Sequence, residues 1–423
     1  MPELSRRAML GATATLLGAG VTAAQAAPAA EDPHSIGSVR DGKVELPALR
    51  PESETGGPVP NVEPPGRRLG VAVVGLGHLS LEQILPGFGQ AKSVRVTALV
   101  SGHRDKALAV AAQHGVPKES VYDYASFDAI RDNPSVDLVY IVLPNSLHEE
   151  FTVRAAQAGK HVLCEKPMAP TAAACERMIK ACADARVKLM IAYRMQYEAT
   201  QRAAIAMARG GELGTLRLLQ AMNGQNDSPG QWRQSKNLAG GGSLPDVGIY
   251  CLNAFRYLTG EEPVEVTGRV TRPPDDPRFR EVEDVASFTA TFPSGIVGVG
   301  TSAYSTHTTR TLQIMGDTAS LTLDNAFAYE GLAMRLSRKV GSIEAVDGRR
   351  WPAKNQFATE MDHFADAIRS DRMPHTPGQE GLADIRAIEA IYQSAAAGGA
   401  PVMLPLIKGL DTTRGPAPAT DAG

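Results

Sequence analysis

Three residue types in this chain could move a proton beside a redox centre: Lys166, at the end of a short apolar run, and Asp246 and Tyr250, four apart behind Pro245. At helical spacing, positions four apart share one face. Pro245 suits a first helical turn, so both residues would stand near a helix N-terminus. A carboxylate and a phenol there can handle a proton beside a hydride acceptor. The alternative is a capping aspartate and a core tyrosine. A lysine at a strand end facing a ligand crevice is a candidate for chemistry, whereas on a solvated loop it would mean little.

The acceptor has its own signal. The apolar, β-branched run Leu69–Val74 ends in Gly75-Leu76-Gly77-His78-Leu79-Ser80, and an apolar helical pattern follows from Leu79. This is the strand–turn–helix of a dinucleotide-binding unit. Gly75 makes the tight turn, and Gly77 lets the backbone approach a pyrophosphate at the helix N-terminus. Ser80 takes the third fingerprint position, a small residue in place of glycine. The turn Gly75, Leu76, Gly77, His78, Leu79 is therefore the expected pyrophosphate cradle.

The cofactor's identity turns on the residues after the second strand, Val94–Val100. An NAD site places an acid there for the ribose 2′-OH. This chain has Ser101-Gly102-His103-Arg104-Asp105-Lys106, with no acid at the strand end. A hydroxyl at Ser101, the Gly102 backbone, and the Arg104 and Lys106 cations suit a 2′-phosphate, so NADP is expected. Otherwise Arg104 and Lys106 are only the solvated first turn of a helix.

These groups need a parallel sheet to hold them. A helix over about Leu79–Gly89, bent by Pro86, follows the first strand. Asp137–Leu143 reads as the next strand and runs into Pro144-Asn145-Ser146-Leu147-His148. Ligands lie beyond the carboxyl ends of such strands, which puts Leu143, Asn145 and His148 near the cofactor. An Asn or Ser cap with an incidental histidine is the other reading. His161–Cys164 is a short strand before Glu165-Lys166-Pro167, and Lys188–Tyr193 is the last parallel strand, leading to Arg194.

From about Thr200 the pattern changes. A helix (Gln201–Arg209) and a strand (Leu216–Met222) precede a polar loop, Asn223–Gly241, which holds Trp232 and Arg233. The helical stretch Leu244–Asn253 comes next. The strands Val264–Thr271, Val285–Phe292, Ile296–Ser302, Thr311–Met315 and Ala319–Leu323 are joined by short turns, which means antiparallel pairing. Closing helices fit Gln356–Ser370 and Glu380–Ala397. The fold class is α/β, with an N-terminal Rossmann domain (68–195) and a C-terminal α/β domain (196–405) built on a large, mostly antiparallel open sheet. A disordered tail is expected over 406–423.

The 423 residues carry a net charge of −3, with no basic excess to imply nucleic acid. The body has no apolar run of about 18 residues. The four cysteines lack metal or disulfide spacing and read as buried apolar residues, so no metal is expected. Ser5-Arg6-Arg7 before a mild apolar stretch, with Ala24-Gln25-Ala26 behind it, is a signal peptide (1–26) that resembles the twin-arginine type. An ordinary secretory signal holding two arginines is the alternative. Export to the periplasm is expected, with no membrane contact after signal removal. The proline-rich segment 27–67 is expected to be an extended arm or linker.

Together, Gly75-Leu76-Gly77, Pro144-Asn145-Ser146-Leu147-His148, Glu165-Lys166-Pro167, Tyr193-Arg194 and the run 241–250 resemble the Gfo/Idh/MocA oxidoreductases, nearest their glucose–fructose and aldose–aldose branch. The resemblance spans about Leu69 to Pro401. It implies that Lys166, Asp246 and Tyr250 line the catalytic site. It also implies NADP contacts from Ser101, Lys106, Asn145, Glu165, Lys166, Arg194, Trp232 and Arg233. Met195-Gln196 departs from the branch's pattern, which leaves the second substrate open. The implied activity oxidises an aldose at C1 to its lactone and reduces a second sugar, with NADP held tightly throughout. Tyr250 would be the base, its phenolate favoured by the Lys166 ammonium. Small-molecule sugars are the expected partners, and a homo-oligomer (dimer or tetramer) the expected assembly. An NADP-dependent aldose dehydrogenase with exchangeable cofactor and an NAD-dependent glycoside hydrolase of the same fold are the alternatives.

Overall fold

A computed structural model describes residues 38–45, 68–406 and 414–418. The expected signal peptide and most of the expected arm lie outside them.

Six apolar segments form a parallel sheet: β1 (Leu69–Val74), β2 (Val94–Val100), β3 (Val121–Tyr122), β4 (Leu138–Ile141), β5 (His161–Glu165) and β6 (Leu189–Ala192). Their order is β3-β2-β1-β4-β5-β6. Helices cover both faces, so the strands are apolar throughout rather than alternating. Val71 and Val73 face one core, while Ala72 and Val74 face the other. In register, Val74 stands beside Val100 on one side and Ile141 on the other. All the strands therefore end at one edge, and the strand order reverses between β1 and β4.

The second sheet has nine strands: β7 (Leu216–Asn226), β8 (Glu265–Thr271), β9 (Val285–Thr291), β10 (Val297–Ala303), β11 (Ser305–Gly316), β12 (Ala319–Asp324), β13 (Ala333–Val340), β14 (Ile343–Arg349) and β15 (Val402–Met403). Its order is β14-β13-β12-β11-β7-β10-β9-β8-β15. Every pairing is antiparallel except β7 with β10. β7 and β11 run longer than the sequence pattern indicates. β13, which alternates only over Met334–Leu336, and β14, which is exposed almost throughout, extend the sheet at its edge.

Three further expectations need correction. The helix Gln356–Arg369 does not close the second domain. Its Phe357, Met361 and Phe364 pack into the core under Val71, Val73 and Leu99 of the first. Asp362 fastens it there by accepting from the Lys92 and Ser93 amides at 2.7–3.0 Å. Within the expected arm, Ser38–Arg40 and Lys43–Glu45 form a hairpin turned at Asp41-Gly42, both with positive φ. It rests on the helix Arg104–His114, with Val44 against the apolar cluster. In the expected disordered tail, Arg414 is buried, because its guanidinium finds Glu380 at 2.6 Å and the Tyr257 ring at 3.9 Å. All four cysteines are buried and free. No helix among the described residues is long and apolar enough to cross a membrane.

Candidate active site

The first half of the site is the edge where the parallel strands end. Gly75 has φ +93°, and a Cβ there would lie 2.1 Å from the Val142 carbonyl oxygen and 2.9 Å from Leu143 Cδ2. No other residue fits that turn. Ser80 is more than small, since its hydroxyl donates to the Gly75 carbonyl at 2.6 Å and ties the helix start to the turn. Between them, Leu76 and Leu79 pack toward the core, and His78 Nδ1 meets Glu82 at 3.2 Å. The helix opens with a wide turn, Ser80–Ile84, before continuing through Leu85–Gly87.

After β2, Ser101 is buried and accepts from the His103 amide at 3.2 Å. The Tyr124 ring lies over Gly102. The two cations differ: Arg104 is exposed, whereas Lys106 is buried and its ammonium is held below its usual range by that burial. The solvated-turn reading fits Arg104 alone. A glycine cradle that any Cβ would fill, followed by a buried hydroxyl and a buried lysine with no acid at the strand end, fits a dinucleotide carrying a 2′-phosphate.

The turn after β4 serves a different purpose from the one expected. His148 is fully buried. Its Nε2 faces the Leu143 carbonyl at 2.9 Å and its Nδ1 faces the Pro167 carbonyl at 3.0 Å. Carbonyls occupy both ring nitrogens, so His148 pins the loop after β5 to the end of β4. Asn145 donates to the Ala239 carbonyl at 2.8 Å and joins this turn to the second domain.

The second half of the site comes from the helix that carries Asp246 and Tyr250. It starts with a wide turn, Leu244–Gly248, and becomes regular over Ile249–Thr259. Wide turns of this kind concentrate at functional sites. Lys166, from the end of β5, donates to the Asp246 backbone carbonyl at 2.8 Å and to its Oδ1 at 3.0 Å. The other carboxylate oxygen accepts from Arg233 Nε at 2.9 Å and from the Tyr304 hydroxyl at 2.8 Å. Burial disfavours this carboxylate, but the Lys166 and Arg233 charges outweigh it and hold the carboxyl well below the usual range. Burial likewise opposes the Lys166 ammonium, and Asp246 outweighs it, so the lysine stays charged.

Lys166 Nζ stands 4.7 Å from the centre of the Tyr250 ring, not at its oxygen. The cation at the phenol oxygen is Arg194, whose Nε donates to it at 3.0 Å. The rest of that guanidinium binds Gln356 at 2.7 Å and the Phe327 and Ala328 carbonyls at 2.7 and 3.2 Å. Arg194, expected as a cofactor contact, is thus held against the phenol. Arg233 is engaged by Asp246 and stacks on Trp232 at 4.5 Å.

Behind Lys166, Glu165 accepts from the Tyr140 hydroxyl at 2.9 Å and from the Lys166 amide at 3.2 Å. Glu360, fully buried on the helix Gln356–Arg369, completes this group. Burial first, and then the Glu165 charge, push its carboxyl well above the usual range. An acid so raised keeps its proton when the unfolded chain has released it, so stability falls as pH rises from the unfolded to the folded value. Glu360→Gln is expected to remove that slope, up to about 1.4 kcal/mol per pH unit. Urea unfolding of both proteins across neutral pH checks this, and an equal decline in the two would contradict it. Tyr304, Glu360 and Gln356 carry no sequence signal, because each meets the site from a distant segment.

The family model for oxidoreductases with an NAD-binding Rossmann fold (Gfo/Idh/MocA) matches residues 69–193, and the model for the family's C-terminal domain matches 201–322. The chain is 32% identical over 340 residues to D-xylose 1-dehydrogenase (NADP(+)) of Haloarcula marismortui, covering 77% of this chain and 90% of that one. It is 31% identical over 312 residues to dTDP-3,4-didehydro-2,6-dideoxy-alpha-D-glucose 3-reductase of Streptomyces violaceoruber, covering 72% and 86%. Among solved structures it resembles aldose–aldose oxidoreductase from Caulobacter crescentus, complexed with glycerol. That match has 46% identity and a TM-score of 0.77 over 80% of this chain and 100% of that one.

Proposed function

As a member of the Gfo/Idh/MocA family, the chain is an NAD(P)-dependent sugar oxidoreductase, and we propose that it couples the oxidation of one aldose to the reduction of a second sugar on NADP that stays bound. The observation that carries this reading is the phenol of Tyr250. It is fixed by Arg194 and flanked by the Lys166–Asp246 pair at the edge where the parallel strands end. The likeness to an aldose–aldose oxidoreductase supports the sugar pair.

A nucleotide held in the Gly75–Leu79 cradle would supply the hydride chemistry; the protein manages the proton and the geometry. Tyr250, acting as the phenolate, takes the proton of the sugar's C1 hydroxyl and becomes the phenol as the C1 hydrogen leaves with its electron pair, and the lactone departs. Arg194, donating to the same oxygen, holds it in place for that proton transfer. Lys166 and Asp246, locked together, present an ammonium and a carboxylate that orient the sugar hydroxyls. When the second sugar arrives, Tyr250 returns the proton to its carbonyl oxygen.

The arginine pair near the N-terminus supports export in a folded, cofactor-loaded state to the periplasm, where a released nucleotide could not be replaced. Half-buried Leu218, Met222, Val297, Val299 and Met315 share one face of the large sheet, which supports a homo-oligomer. Gel-filtered protein given glucose and fructose without added nucleotide should form lactone and alditol in equal amounts. A requirement for fresh NADP at every turnover would favour the second reading, an aldose dehydrogenase, to which the xylose dehydrogenase likeness also points.

The nucleotide recovered from denatured protein should be NADP. Ser101→Asp should shift the preference toward NAD by about tenfold or more, since a carboxylate there repels a 2′-phosphate and accepts from a 2′-OH. Competitive binding of the two nucleotides to stripped protein measures it, and an unchanged ratio would remove Ser101 from this role.

A further inference from the structure

A second pocket lies away from the catalytic groups. It encloses about 370 Å³ and is lined by Arg202, Arg209, Tyr257, His375 and the docked tail residues Arg414 and Gly415. Its volume is that of a small-molecule site, and its lining is cationic. Arg414 is neutralised by Glu380. Arg202 is not: no carboxylate pairs with it among the described residues. The acceptor near its Nη1 is His375 Nε2, at 3.4 Å, and its buried Nε has no acceptor among the described residues. His375 cannot supply the missing charge. Its Nδ1 faces the Gly415 carbonyl at 3.1 Å, so the Nε2 that meets Arg202 carries the lone pair of a neutral ring. Burial accordingly holds the Arg202 guanidinium below its usual range. Buried cations are normally paired. A guanidinium with an unused N–H beside a second arginine and an open volume is the recognition geometry of a planar or tetrahedral oxyanion.

We propose that this pocket binds a small oxyanion, a phosphate group or the carboxylate of a small acid, between Arg202 and Arg209 beneath the docked segment Arg414–Ala417. The occupant supplies the negative charge that Arg202 lacks. It also closes the space between the helix Ala199–Arg209 and the tail, so binding and tail docking stabilise each other.

The test is calorimetric titration of the full chain, saturated with NADP so that the nucleotide's own phosphate sites are filled. Inorganic phosphate and gluconate are titrated separately against a chloride background of matched ionic strength. The expected result is saturable one-to-one binding of at least one oxyanion, weakened at least tenfold in Arg202→Gln, with sugar oxidation unchanged. The stronger of the two titrants identifies the chemistry. If Arg202→Gln fails to fold, Arg209→Gln carries the same expectation. Trypsin gives an independent readout: the bound oxyanion should slow cleavage after Arg414 in the wild type and leave it unchanged in the variant. Absence of saturable binding of either oxyanion, or equal affinity in wild type and variant, would overturn the proposal.

Discussion

Tyr250→Phe is expected to lower the turnover of aldose oxidation by about 10³-fold while leaving KM within a few-fold, because it removes one oxygen that works in the transition state and little that holds the ground state. The ring contacts remain: the phenyl ring of the variant would still stack under Lys166 and Arg194 and beside Phe327, as the Tyr250 ring does. What disappears is the acceptor of the Arg194 Nε hydrogen bond. That guanidinium keeps Gln356 and two backbone carbonyls, so the fold should survive. Lys166→Ala should lose a comparable factor but raise KM as well, since Asp246 would lose both hydrogen bonds from Lys166 and the sugar its ammonium donor. Steady-state kinetics on cofactor-loaded protein separates the two patterns. Near-normal turnover in Tyr250→Phe would remove the tyrosine from the role of base.

The largest effect on stability is expected at Arg256. This arginine is fully buried at the centre of three carboxylates. It bonds Glu262 through Nε at 2.6 Å, Asp384 at 2.7 Å and Glu380 at 3.1 Å. Arg414 approaches the same group from the tail. Replacing Arg256 by Met fills most of the volume but leaves Glu262 and Glu380 with the Arg414 cation and Asp384 with the Asn253 amide. Breaking a buried ion pair by removing one partner costs about 3–5 kcal/mol, and that is the expected loss in urea unfolding. Arg256→Lys should recover only part of it, because an ammonium cannot reach three carboxylates as a planar fork does. A loss within about 1 kcal/mol for Arg256→Met would show that the cluster relaxes or takes up protons instead.

Some of this was legible in the sequence and some was not, for physical reasons. Strands buried on both faces leave continuous apolar runs, so Leu69–Val74 and Val94–Val100 were readable at once. The strands Ala333–Val340 and Ile343–Arg349 were not, because the first alternates only over Met334–Leu336 before an exposed charged end and the second is exposed almost throughout. Lys166, Asp246 and Tyr250 were readable from spacing and strand-end position, and the structure brings them together. Which cation meets the phenol was not readable, since Lys166 and Arg194 both end parallel strands and only packing decides between them. His148 stands beside the crevice in the chain, and only packing shows that its ring nitrogens face two carbonyls. Tyr304 and Glu360 reach the site across long sequence separations that no local pattern records.

The helix Gln356–Arg369 has a consequence for how the chain comes into being on the ribosome. Its Phe357, Met361 and Phe364 cover the first sheet's core, so the nucleotide domain cannot complete itself when residue 195 emerges. Between that point and residue 356 the ribosome must add the entire second sheet up to its penultimate edge. At about 5–20 residues per second this is a wait of roughly ten to thirty seconds. For that interval Val71, Val73 and Leu99 have only part of their cover, that of Ile84, Leu85 and Val110. The newborn half-protein is a natural client for chaperones, and the nucleotide domain completes its core only once residues 356–369 have been added.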